Sequence, residues 1–182
     1  MNKEEKELTK NSDKICQAIE LLVDANRYTA HKAYKHFGVD NRSAFVQEFC
    51  VVKFWASRRA GNSTAAMKFL SAPKRSGEFW VVCGKSSVIE LDRRILIKLI
   101  DKKKIYKIGC NFIGLRDGGT ILFLNEMDLS SGRFCSNTTL LQLSGIVLED
   151  CCMDSKEKDG LYTFVGQHLS KNSIPIIIEC GC

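Results

Sequence analysis

Apolar residues follow two rhythms along this chain. Before residue 50 they recur every three or four positions, and after it they come as short unbroken runs parted by polar turns. The spacing of Ile15, Ile19, Leu22 and Val23 predicts an amphipathic helix from Asp13, behind a charged lead-in over residues 1–12. Residues 25–29 predict a break. A second helix is expected from Thr29, as N-cap, to Phe37, with Gly38 ending it, and a short third helix over residues 43–49. The stretch AYKHFGVDNRSAFVQEF has the rhythm of a helix-turn-helix, with Arg42 and Gln47 on the exposed side. Simple packing of these helices onto the rest of the chain is the plainer alternative.

Beyond residue 50 the runs 50–56, 79–84, 107–113, 120–124, 143–148 and 174–180 read as strands, most of them buried on both faces. Pro175 sits near a strand start, where it is tolerated. Asp117-Gly118 between two apolar runs predicts a hairpin. Helices are expected after residue 64, ending before 71–73, from Ser86 or Ser87 to about Lys102, and over 161–169; residues 154–160 read as a charged loop and 125–137 as irregular. Strands alternating with helices predict an α/β fold, a three-layer sandwich with a mainly parallel central sheet. It would occupy residues 45–182, behind an N-terminal helical segment over 1–44. Ligands on such sheets bind beyond the carboxyl ends of the strands. Both the 57–64 turn and the Glu149-Asp150 pair fall at such ends.

Composition adds little to the fold and more to the partners. The 182 residues, 45% apolar and 26% charged, suffice for one domain with a real core. The polar N-terminus lacks the apolar segment of a signal peptide, and no apolar run reaches the ~18 residues that span a bilayer. The nine cysteines are odd in number and sit mostly in apolar runs, so the expectation is reduced thiols in a cytoplasmic protein with no membrane partner. A zinc site from Cys151, Cys152, Cys180 and Cys182 would need an unusual spacing. The three histidines, His31, His36 and His168, form no nucleophile or metal constellation. The net charge of +6 favours an acidic partner such as nucleic acid, with local density at Arg58-Arg59, Lys74-Arg75, Arg93-Arg94 and Lys102-Lys103-Lys104. Solvated surface is the plain alternative for these clusters.

The chemistry concentrates between Val51 and Leu70. An apolar strand leads into Ser57-Arg58-Arg59-Ala60-Gly61-Asn62-Ser63-Thr64 and then into a helix rich in small residues. Glycine permits the sharp turn, and amides at the helix start point at an anion such as the phosphates of ATP. A hydroxyl at Ser63 or Thr64 has the chemistry to hold Mg²⁺. Asn62 stands where a phosphate loop normally carries lysine.

The ordered set of elements over about 45–182 resembles the ATPase core of a phage terminase large subunit and, more broadly, a RecA/helicase-type P-loop NTPase. The resemblance rests on the 57–64 turn, the hairpin around Leu115-Arg116-Asp117-Gly118-Gly119, Arg133 in the irregular stretch after it, Ile146-Val147-Leu148-Glu149-Asp150 as an acidic Walker B strand, and Ile176-Ile177-Ile178 as the strand after it. It implies ATP and Mg²⁺ as cofactors, with residues 58–64 around the phosphates. Ser63 and Glu149 would hold the metal, Asp150 would orient the attacking water, and Arg58 or Arg59 would supply the charge that Asn62 lacks. The implied setting is viral DNA packaging or another nucleic-acid process in a host cell. The acidic pair is reversed relative to the family's Asp-Glu, and no nuclease half follows. The alternative is a P-loop-like module that has lost catalysis and binds DNA, RNA or a nucleic-acid-processing protein as a regulator or inhibitor.

Overall fold

The computed structural model describes residues 3–37, 40–54, 61–72, 75–126, 128, 142–149 and 153–180. Its centre is a seven-stranded sheet in the order β1-β7-β6-β2-β5-β4-β3. The strands are β1 Val51–Phe54, β2 Phe79–Gly84, β3 Ile105–Ile108, β4 Phe112–Leu115, β5 Thr120–Asn125, β6 Leu143–Glu149 and β7 Ile176–Cys180. The five from β1 to β5 in that order pair in parallel, and β4 and β3 extend the sheet antiparallel. Every residue of β2 is buried, as a strand covered on both faces requires.

Five helices accompany the sheet among the described residues: α1 Lys3–Phe37, α2 Arg42–Phe49, α3 Asn62–Ser71, α4 Ser86–Leu99 and α5 Ser155–Gln167. From β1 through α3 to β2, and on through α4 to β5, the chain steps across the sheet in one direction. From β6 through α5 to β7 it steps back. Right-handed crossovers therefore place α3 and α4 on one face and α5 on the other. On the first face Phe69 of α3 meets Trp80 edge-on, 5.3 Å between ring centres. On the second, burial of Tyr162 of α5, helped by the charge of Glu179 in β7, pushes its phenol up. Helix α1 joins the first layer through Lys68 of α3, whose ammonium lies 2.6 Å from Asp13. Helix α2 lies on α5, where Arg42 donates to the Gly166 carbonyl. Among the described residues no helix is long and apolar enough to cross a membrane.

Four sequence expectations change. The break at 25–29 is absent, because α1 runs unbroken from Lys3 to Phe37. Thr29 is not an N-cap: its hydroxyl donates 3.0 Å back to the Ala25 carbonyl four residues earlier, a bond made inside a helix. From Lys3 onward the lead-in is helical too, and Ser12 is buried against the Lys68 ammonium at 2.8 Å. The apolar run 107–113 is two strands, since the Gly109 amide donates to the Phe112 carbonyl (2.9 Å) and turns the chain between β3 and β4. The charged stretch 154–160 opens α5, with Asp154 and Glu157 forming a reciprocal capping box.

Candidate functional site

The parallel strands end together at one edge of the sheet, where β1 leads toward α3, β2 leads to α4 and β6 leads toward α5. Connections leave this edge toward opposite faces, which opens a crevice between them. Strand β7 lies between β1 and β6, so the ends of those two strands stand two strand spacings apart, roughly 10 Å.

Helix α3 begins over this gap. Its N-cap, Gly61, takes the left-handed conformation (φ 90°, ψ 27°), which a residue with a side chain rarely adopts. The Ala65 amide closes the first turn onto the Gly61 carbonyl at 2.9 Å. As at any helix start, the first amides find no carbonyl within the helix, and Gly61 offers no side chain to cap them. The geometry suits an anion.

Across the gap, Glu149 ends β6 with only 3% of its surface exposed. Ser63 Oγ donates to Glu149 Oε2 at 3.0 Å, linking residues 86 positions apart. Glu149 is also held from β2. A Cβ built on Gly84 would lie 2.4 Å from the Glu149 carbonyl oxygen, so only glycine lets these two strand ends approach as they do.

The structure thus brings together Ser63 and Glu149, with Gly61, Asn62 and Thr64 half-buried at the same helix start. Arg58, Arg59, Ala60 and Asp150 lie outside the described residues. Hydroxyl and carboxylate oxygens are the hard donors that Mg²⁺ takes, so Ser63 and Glu149 fit that metal. Asn62 brings an amide and no charge. Of the cysteines considered for zinc, Cys180 is buried in β7, and Cys151, Cys152 and Cys182 lie outside the described residues. No group of three metal-ligating side chains gathers among the described residues.

Sequence reasoning passed over the neighbouring junction. Gly84-Lys85-Ser86-Ser87 joins β2 to α4 at this same edge, with Lys85 as the N-cap of α4 and Gly84 in register with Glu149. Glycine, lysine and hydroxyl at a strand-to-helix turn was the available signal. A second cleft of about 200 Å³ adjoins it, bounded by Ser86, Arg93, Asn125 and Asp128, with the Asp128 amide donating to Asn125 Oδ1 at 2.8 Å.

No protein-family model matches this sequence, and a search of curated proteins finds no match either.

Proposed function

We propose that the chain is a nucleotide-binding, terminase-like ATPase core acting on nucleic acid, with Mg²⁺-ATP at the carboxyl edge of the sheet. The observation that carries this reading is the 3.0 Å hydrogen bond from Ser63 to Glu149. It joins the hydroxyl of a glycine-led helix start to the acid of another strand, the two groups the resemblance assigns to one metal. Support also comes from the mainly parallel sheet and from β7 lying between the loop strand and the acidic strand.

In this RecA-like reading the amides of residues 60–64 cradle phosphate oxygens. Ser63 and Glu149 hold Mg²⁺, which when bound neutralises phosphate charge. Asp150 orients water, and Arg58 or Arg59 stabilises the leaving phosphates. Lys85 is a further source of the positive charge that Asn62 does not bring. The setting is viral DNA packaging or a related nucleic-acid process in the host cytoplasm, with residues 1–44 as a helical preface to the ATPase-like domain. Asn62 itself favours a second reading: a module that keeps the fold, binds a nucleic acid or its processing protein, and does not turn over ATP.

Calorimetric titration with Mg²⁺-ATP and a phosphate-release assay test both readings. Wild-type protein should bind at millimolar nucleotide or below. Ser63→Ala and Glu149→Gln should each weaken binding at least ~10-fold, about 1.4 kcal/mol. Arg58→Ala, Arg59→Ala and Lys85→Ala identify which cation matters. Binding without phosphate release selects the second reading. No saturable binding at millimolar nucleotide sinks the nucleotide site.

A further inference from the structure

The opposite, amino edge of the sheet carries a different chemistry. Directly after α4, Asp101 accepts a hydrogen bond from the Lys103 amide and caps a single 3-10 turn, Lys102–Lys104. The β4–β5 hairpin returns beside that turn, because the Arg116 amide donates to the Lys104 carbonyl at 2.9 Å. Lys103, Lys104 and Arg116 thereby line one cleft of about 360 Å³, with Ile100 among its apolar walls.

Arg75 forms the inner wall. Its side chain is only 4% exposed, and its guanidinium sits 4.3 Å from the centre of the Phe69 ring. Ion pairs at 3.6 Å tie it to Asp24 and Glu78, but Nε and Nη2 make no hydrogen bond among the described residues. Asp24 and Glu78 balance Arg75 and Arg27, so the inner network is neutral. The rim is not. Its acid, Asp117, is engaged by Ser76 Oγ (2.7 Å) and the Gly119 amide (2.9 Å), and these bonds hold its carboxyl below the usual range. Lys103, Lys104 and Arg116 outnumber it, and neither they nor Lys102 has an acidic partner among the described residues.

We propose that this cleft binds the phosphodiester backbone of a nucleic-acid strand. The site deepens the nucleic-acid side of the function above and does not depend on nucleotide binding at the other edge. Unpaired cations converging on a concavity, with donors at its base, fit separate phosphate groups better than the flat plane of a bilayer. Tyr106, 73% exposed on β3 two residues beyond Lys104, does not line the cleft, and a base of a bound single strand would have to reach past the rim to stack on it.

Fluorescence anisotropy with a labelled single-stranded oligodeoxynucleotide, without nucleotide, tests the site. Three phosphate contacts predict a slope near −2 for log affinity against log salt, at about −0.7 per contact on single strands. The triple substitution Lys103→Ala, Lys104→Ala and Arg116→Ala should weaken binding at least ~10-fold and flatten that slope. A charge-matched control, Lys156→Ala, Lys158→Ala and Lys171→Ala, should leave both near wild type. Mg²⁺-ATP titration of the cleft variant should match wild type, which separates failure of this site from failure of the nucleotide site. Absence of wild-type binding at low salt overturns the proposal, as does equal loss in the control variant. Binding to anionic vesicles with none to the oligonucleotide also overturns it.

Discussion

Asp92 lies on α4 with none of its surface exposed, and among the described residues neither carboxyl oxygen receives a hydrogen bond. Burial pushes its pKa from an ordinary 3.8 up to about 7. The folded state therefore keeps a proton that the unfolded chain releases above about pH 4. Stability contributed at this position is complete at low pH, falls as pH rises from about 4 to 7, and stays low above that. At 1.36 kcal/mol per pH unit the loss amounts to at most ~4 kcal/mol. Asp92→Asn removes the titration, so urea midpoints of variant and wild type should converge near pH 4 and separate by pH 8, with the variant more stable. A constant separation across that range would show that Asp92 does not titrate as its burial implies. Gly84 gives a second prediction at this scale. Alanine there meets the Glu149 carbonyl, so Gly84→Ala should cost about 1–3 kcal/mol by denaturant unfolding and weaken Mg²⁺-ATP binding along with stability.

Among the elements, α5 shows how a visible signal goes unread. Asp154-Ser155-Lys156-Glu157 carries the capping-box spacing, yet its charge and Gly160 made the stretch look like a loop. Asp154→Ala should lower stability by about 1 kcal/mol, and thermal unfolding followed by circular dichroism measures it. The parallel β strands were legible because uninterrupted apolar runs suit a sheet covered on both faces, whereas the half-exposed β3 and β4 were read as one run. A helix after the glycine turn was legible as local chemistry, but it begins at Asn62, so Ser63 and Thr64 belong to its first turn and not to the loop before it. The break assigned to α1 was an error of local reasoning: Thr29 is compatible with a cap and with a helix interior, and Arg27 decides the matter through tertiary bonds to Glu78 (3.0 Å) and the Ser144 carbonyl (3.1 Å). The contact of Ser63 with Glu149 follows from strand order, which the local pattern does not encode. Lys85 follows the same logic: only the strand order sets the β2–α4 turn beside the end of β6.

For the molecule as a whole, the sheet separates two chemistries. Its carboxyl edge presents a helix start, a hydroxyl and an acid, and its amino edge presents cations without an acidic partner among the described residues. The thiols follow burial in the same fold. Cys50, Cys83 and Cys180 are buried and Cys110 is exposed, and burial pushes the Cys50 thiol up to about 12. Maleimide labelling of native protein, read by peptide mass spectrometry, should modify Cys110 well before those three, and denaturant should abolish the difference. Equal native rates would mean that the sheet opens readily.

The position of β7 governs the order of assembly. Val51 pairs with Ile177, so β1 meets its neighbour in the sheet only after more than a hundred intervening residues have been made. Contacts of that sequence separation form slowly, because the loop must close before any bond repays it. During synthesis α1 and α2 have local bonds to form, while β1 waits as a bare strand edge that other chains are able to join. The ends of β1 and β6 reach their native spacing only when β7 enters between them. A nascent or partly opened chain is thus unable to hold Ser63 against Glu149, and the site appears together with the completed sheet.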